Sequence, residues 1–245
     1  MYSYYWLFLG LILLCALFAG GASAKVTRTF RGLSDMSTAS RMTGCDTAKR
    51  LLNAGGVRDI RVGKVQGFLT DHYHPTKGEV NLSESVYGND SVAAVAVAAH
   101  EVGHVIQKKK GYFPYKLRQI LVPITNIGSR LALPLVLLGL ILDLFVQLTA
   151  YENLGYYLAL AGVALYGLAT VFAFVTLPVE FNASRRAKRM LLDDGILTEA
   201  ELPFAEKMLS AAAMTYVVSL VTSLVYFLRF LLWVFLLFGG RSRRR

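Results

Sequence analysis

Four long stretches almost without charge set the first constraint on what this chain can become. Met1 to Ala24, Asn153 to Val179 and Met208 to Leu228 carry no Asp, Glu, Lys or Arg, and Leu131 to Ala150 carries only Asp143. Each reaches or approaches the roughly 20 apolar residues that a helix needs to cross about 30 Å of hydrocarbon. Of the 245 residues, 55% are hydrophobic and 17% charged, where soluble domains carry about a quarter charged residues. The chain reads as an integral membrane protein, and disordered, collagen-like and small disulfide-stapled classes are excluded. Cys15 lies inside an apolar stretch and Cys45 near a helix start, so no disulfide framework is implied, as suits a reducing compartment.

The net charge of +10 would suggest nucleic-acid binding in a soluble protein. Here the basic residues stand beside apolar spans: Lys25, Arg28 and Arg31 after the first, Arg185, Arg186, Lys188 and Arg189 after the third, Arg241 to Arg245 after the last. They read as an orientation signal and a lipid-facing charge, with no nucleic-acid partner. Arg185 and Arg186 belong to that interfacial face in preference to a substrate contact. The connection near Thr149 to Asn153 has no Lys or Arg and is expected outside, with the basic segments inside. Four simple crossings would leave Arg241 to Arg245 outside, against that pattern. Whether the last apolar segment, with Arg229 in it, crosses, re-enters or lies along the interface stays open.

The N-terminal stretch ends in Ala22-Ser23-Ala24, the small-x-small form of a cleavage site, but has no positive n-region, and a retained anchor is expected. The polar region from Lys25 to Arg130 is long enough for a small domain. Thr43 followed by Asp46 predicts a capped helix through Leu51 and Leu52, ending at Gly55-Gly56. Val57 to Val65 predicts a strand, and Glu79 to Leu82 a second, edge strand after the turn at His74 to Gly78. Asp90 or Ser91 caps a helix from Val92 to about Lys110, ended by Gly111. A helical segment from Tyr115 to Arg130, interrupted by Pro123, leads to the second span. A polar helix from Glu180 to about Asp193 follows the third.

Inside the Val92 helix sits His100-Glu101-Val102-Gly103-His104, the H-E-x-x-H pattern. Two histidines four apart project from one helix face, so both imidazoles can reach one zinc at about 2.0 to 2.1 Å. The glutamate between them points beside the metal and can take a proton from an attacking water and pass it to the leaving amine. The helix is otherwise almost uncharged, hence buried, and burying two histidines and a glutamate is costly without a metal or charge partner. A catalytic zinc needs a third protein ligand and an open position. From the residues alone the candidates are His72, His74, Asp143 and Glu180.

The strings LTDHY (69–73), VAAVAVAAHEVGH (92–104), VPITNIGS (122–129) and LPVEFNASRRA (177–187) resemble those of the bacterial putative neutral zinc metallopeptidases, the YugP-like membrane proteins, over nearly the whole chain. More distantly the chain is similar to HtpX-type and CAAX prenyl proteases, in which H-E-x-x-H precedes a transmembrane hairpin and a glutamate ligand follows it. The resemblance implies Zn2+ as cofactor, His100, His104 and Glu180 as its ligands, and Glu101 as the catalytic base. In the HtpX-type pattern an aspartate often follows that glutamate by four residues. Ser184 stands here, an uncharged acceptor for a ligand imidazole.

These readings combine into an integral membrane, mainly helical α+β fold. A zincin-like catalytic domain with a small β element (25–130, continued by a third-ligand helix at 180–210) is interrupted by a transmembrane hairpin (131–179). An N-terminal anchor (1–24), a C-terminal membrane segment (211–240) and a basic tail (241–245) complete it. The expected activity is zinc-dependent hydrolysis of peptide bonds in protein or peptide substrates, at the cytoplasmic face of a bacterial cell membrane crossed several times. His72 or Tyr73 is a candidate oxyanion or substrate contact, against a reading in which Asp71 and the histidines fix a turn by local hydrogen bonds. Two alternatives remain: a site-2-type intramembrane protease using Asp143, and a zinc-stabilised membrane scaffold with no use for Glu101.

Overall fold

The computed structural model describes residues 2–145 and 154–238. The expected outside connection near Thr149 to Asn153 and the tail Arg241 to Arg245 lie outside the described residues. Seven helices and three strands are numbered here in chain order: α1 Tyr2–Leu33, α2 Gly44–Ala54, β1 Arg61–Val65, β2 His72–His74, β3 Glu79–Ser83, α3 Glu84–Tyr87, α4 Val92–Lys109, α5 Phe113–Phe145, α6 Leu154–Asp193 and α7 Leu202–Phe238. Among the described residues, three helices are long and apolar enough to cross a membrane, at Trp6–Leu33, Leu154–Asp193 and Leu202–Leu236. Counting Phe113–Gly128 and Arg130–Gly139, bent by 41°, as one broken span gives four.

The chain divides into two compact units. The first comprises 1–18, 117–176 and 217–245, and its described part is helical. Within it α5 and α6 approach through small residues. A Cβ added to Gly162 would stand 2.6 Å from the Ala132 carbonyl oxygen, and one on Gly139 would stand 2.7 Å from the Ala159 nitrogen. Side-chain-free contact of this kind is how apolar helices associate where burial from water offers no driving force. Val136, Ala159, Val163 and Val234 form its buried cluster.

The second unit, 19–116 and 177–216, holds the polar region and the segments that follow the third span. The Thr43 capping box forms as the sequence predicts: Asp46 N–H donates to Thr43 Oγ1 at 3.2 Å and Thr43 N–H to Asp46 Oδ2 at 3.2 Å. Such a cap is worth about 1 kcal/mol. The strand starts later than predicted, at Arg61, because Val57 closes α2 instead. Gly56 takes φ +63°, and Val57 N–H reaches back to Leu52 O at 2.8 Å while its side chain is buried.

The sheet order is β1-β3-β2, with β1 parallel and β2 antiparallel to β3. This corrects one expectation. Glu79 to Ser83 is the central strand, not an edge, because the short strand β2 forms from His72–His74, where the sequence suggested only a loop. A three-residue strand carries no readable alternation; its pairing of Tyr73 with Val80 is a tertiary fact. Beside the sheet packs α4, capped by Ser91 Oγ accepting from Ala94 N–H at 3.2 Å and buried along most of its length. Lys108 and Lys109 offset the dipole at its C-terminus and donate to Pro75 O and Gly55 O at 2.7 and 3.0 Å.

Of the segments read as separate, two are single helices. Pro178 sits inside α6, which continues from the apolar stretch through Glu180 to Asp193, and α7 runs through Arg229. The Arg229 guanidinium lies 6.0 Å from the Trp233 ring centre, a partner that an isolated charge in an apolar helix requires. Likewise α1 passes through Ala22-Ser23-Ala24 without a break. Cys15 and Cys45 are free thiols.

Candidate metal centre

Two helices of the second unit build the site. On α4 the one-turn spacing of His100 and His104 places their rings edge to face, 4.8 Å between centroids. Glu180 comes from α6 and is 1% exposed. Its Oε2 lies 3.1 Å from His100 Nε2 and 3.6 Å from His104 Nε2. The three residues offer ligand atoms that all lie within 4.8 Å of one another, the one group of three or more metal-binding side chains among the described residues.

The close approach of the two helices depends on Gly103. A Cβ there would stand 2.8 Å from the Ala183 carbonyl oxygen and 3.2 Å from its Cα. Glycine costs a helix interior about 1 kcal/mol relative to alanine, and here the missing side chain lets the α6 backbone rest on α4. The carboxylate of Glu180 reaches the histidines for that reason.

The far ring nitrogens are also held. His100 Nδ1 faces Ser184 Oγ at 3.2 Å, and His104 Nδ1 faces Gln107 Oε1 at 3.0 Å. The Gln107 amide oxygen, an acceptor, favours the tautomer of His104 with its proton on Nδ1, and the Ser184 hydroxyl can accept from His100 in the same way, leaving the Nε2 lone pairs toward Glu180. Gln107, fully buried, donates its own amide to Val179 O at 2.7 Å and Asn182 Oδ1 at 3.1 Å. Arg186 Nε donates to the same Asn182 oxygen at 2.7 Å. Ser184 thus stands beside a histidine ring nitrogen, without the charge of an aspartate, and Gln107 and Gly103 join the site as residues that sequence reasoning did not single out. Gln107 lies one turn past His104 on the face that carries both histidines, and that placement is the signal that could have found it.

Two imidazoles and a carboxylate suit zinc, and tetrahedral bonds of about 2.0 to 2.1 Å set ligand atoms roughly 3.3 Å apart. The observed 3.1 and 3.6 Å are close to that spacing. The outer acceptors complete a donor set of the kind that holds ligand histidines in register.

Glu101 lies beside this group and is almost buried. Burial pushes its carboxyl up to about 7, the neighbouring carboxylates of Glu180 and Asp71 push the same way, and His100 and the Tyr73 backbone N–H pull it down. The remaining sequence candidates divide. Tyr73 reaches the site by its backbone, while its ring packs on the hydrophobic core. His72 is turned to local partners, with Nδ1 2.9 Å from Thr70 O and Nε2 3.4 Å from Asn81 Nδ2. His74 Nδ1 accepts from Lys77 N–H at 3.3 Å. Asp71 receives Ser83 N–H at 2.7 Å and Ser83 Oγ–H at 2.9 Å, fixing the start of β2 against β3. Asp143 lies on α5, and its side chain is outside the described residues.

Comparison with known proteins gives two matches. Residues 6–235 match the family described as putative neutral zinc metallopeptidase. The chain is 40% identical over 221 residues to the putative membrane protease YugP of Bacillus subtilis (strain 168), covering 90% of this chain and 92% of that protein. No solved structure matches.

Proposed function

The chain belongs to the putative neutral zinc metallopeptidase family, and on that premise we propose that it is a zinc endopeptidase of the bacterial cell membrane. It crosses the bilayer several times, holds its catalytic residues in a zincin-like domain on the cytoplasmic side, and hydrolyses peptide bonds of protein substrates. The observation that carries this reading is the meeting of His100 Nε2 and His104 Nε2 at Glu180 Oε2, at 3.1 and 3.6 Å, with Glu101 alongside.

His100, His104 and Glu180 would hold the metal, and a zinc ion bound there would supply Lewis acidity and lower the pKa of a bound water to about 7. Glu101, outside the ligand set, takes the proton of the attacking water. It then returns that proton to the leaving nitrogen, so one carboxylate serves as base and then as acid. Ser184 and Gln107 keep both ligand rings oriented, and the apolar surroundings of α4 exclude bulk water.

Zinc stoichiometry and cleavage of an unfolded model protein, measured on detergent-purified wild type and Glu101→Gln in parallel, test this. About one zinc in both, with chelator-sensitive cleavage by wild type alone, is the expected result. Zinc in both and equal cleavage would remove Glu101 from the chemistry. Absence of zinc from loaded wild type would overturn the reading.

A further inference from the structure

A cleft of about 400 Å³ opens in the second unit directly beside the catalytic residues, and His100 and Glu101 form part of its wall. Its apolar lining comes from four elements: Val26 on α1, Leu69 before β2, Val97 on α4, and Leu209 and Ala212 on α7. Val97 precedes His100 and Glu101 by three and four residues, so one face of α4 carries both the reacting groups and the cleft wall. Leu69 is held at φ +53°, a conformation unusual for a residue with a branched side chain. The volume lies in the ordinary range of about 300 to 1,000 Å³ for sites that enclose small organic groups.

The charges decide what fits. The charged side chains in the wall, Asp71 and Glu101, are both acidic, and no Lys or Arg lines the cleft among the described residues. An acidic side chain, or the free carboxylate of a chain end, has no counter-charge there. A basic side chain gains little, because both Asp71 oxygens already accept from Ser83 and Glu101 is committed to proton transfer. An uncharged apolar side chain meets no unpaired charge on entering, and it packs on the apolar residues while the hydroxyl-bearing side chains Ser23, Thr27, Thr215 and Tyr216 make up the rest of the wall.

Resting on the peptidase reading above, we infer that this cleft is the specificity pocket for a large apolar residue flanking the scissile bond. The substrates are internal, apolar-containing segments of polypeptides, cut by an endopeptidase and not by a carboxypeptidase. Ala212, the smallest side chain in the wall, sets the pocket's depth. Val97 sets its width next to Glu101.

The test uses zinc-loaded full-length protein in detergent and internally quenched peptides with Leu, Phe, Ala, Asp or Lys at one position. Product masses assign the bond cut. Wild type should favour Leu and Phe over Ala, Asp and Lys by about tenfold or more in kcat/KM. Ala212→Phe should lower kcat/KM for the Leu and Phe peptides by about 10- to 100-fold, leaving the Ala peptide within about threefold. Val97→Ala should shift preference from Leu toward Phe. Retained zinc stoichiometry shows that each variant is folded. Wild-type cleavage that ignores the side chain or prefers Asp or Lys overturns the pocket while leaving the peptidase reading intact. So does a preference unchanged in both folded variants. Cleavage of no peptide by zinc-bound wild type overturns both.

Discussion

The side-chain oxygen of Gln107 lies 3.0 Å from His104 Nδ1, while the amide nitrogen of the same residue is tied to Val179 O on the other helix. One buried amide thus fixes the ring of His104 and the helix that brings Glu180 to the proposed metal site. Replacing Gln107 with Leu should weaken zinc binding about 10- to 100-fold. It should also lower stability by about 1 to 3 kcal/mol, from the polar groups left unpaired. Competition with a chromophoric chelator reads the first effect and thermal unfolding the second. Unchanged zinc affinity would reduce Gln107 to a packing role.

Ser184 offers a gentler case, since its uncharged hydroxyl stands 3.2 Å from His100 Nδ1. Ser184→Ala should loosen zinc less than Gln107→Leu does, and Ser184→Asp should tighten it by restoring a carboxylate partner to the imidazole. The order of the three dissociation constants, measured under one set of conditions, checks the argument.

Gly103 is held to glycine by a neighbour, not by its own backbone. With the Ala183 carbonyl oxygen 2.8 Å from an added Cβ, Gly103→Ala should cost about 1 to 3 kcal/mol through displacement of packed backbone. Glu180 moves with α6, so zinc affinity should fall along with thermal stability. A variant that gains stability, as alanine does in an ordinary helix, would contradict the close contact.

Glu180 and Asp143 separate the proposed site from an intramembrane alternative. Glu180→Gln should lose more zinc affinity than the roughly 100-fold expected for an outer residue, and Asp143→Asn should keep wild-type stoichiometry. The reverse pattern, read by metal analysis after dialysis, would transfer the third ligand to α5.

Much of this arrangement is written in local sequence. The Thr43 box, the Ser91 cap and the H-E-x-x-H spacing each depend on residues within four positions of one another, so α2, α4 and the histidine pair are legible directly. What escapes is decided across the chain. β2 exists because His72 to His74 pair with Asn81 to Glu79, and no pattern within three residues announces it. Val57 looks like a strand residue and is spent on capping α2. Gln107 is ordinary until its partners, 72 and 75 residues away, are known. Glu180 was legible by resemblance, while its spacing from the histidines carried little weight.

The distance along the chain between the ligands has a consequence for biosynthesis. His100 and Glu180 stand 80 residues apart, with all of α5 and most of α6 made between them. On the proposed reading, a nascent polypeptide that has delivered α4 would hold two of the three metal-binding residues and Glu101, and the set would close only once Glu180 had been synthesised and α6 laid against Gly103. The order of translation would then keep the proposed hydrolase unarmed until α5 and the apolar part of α6 had been made.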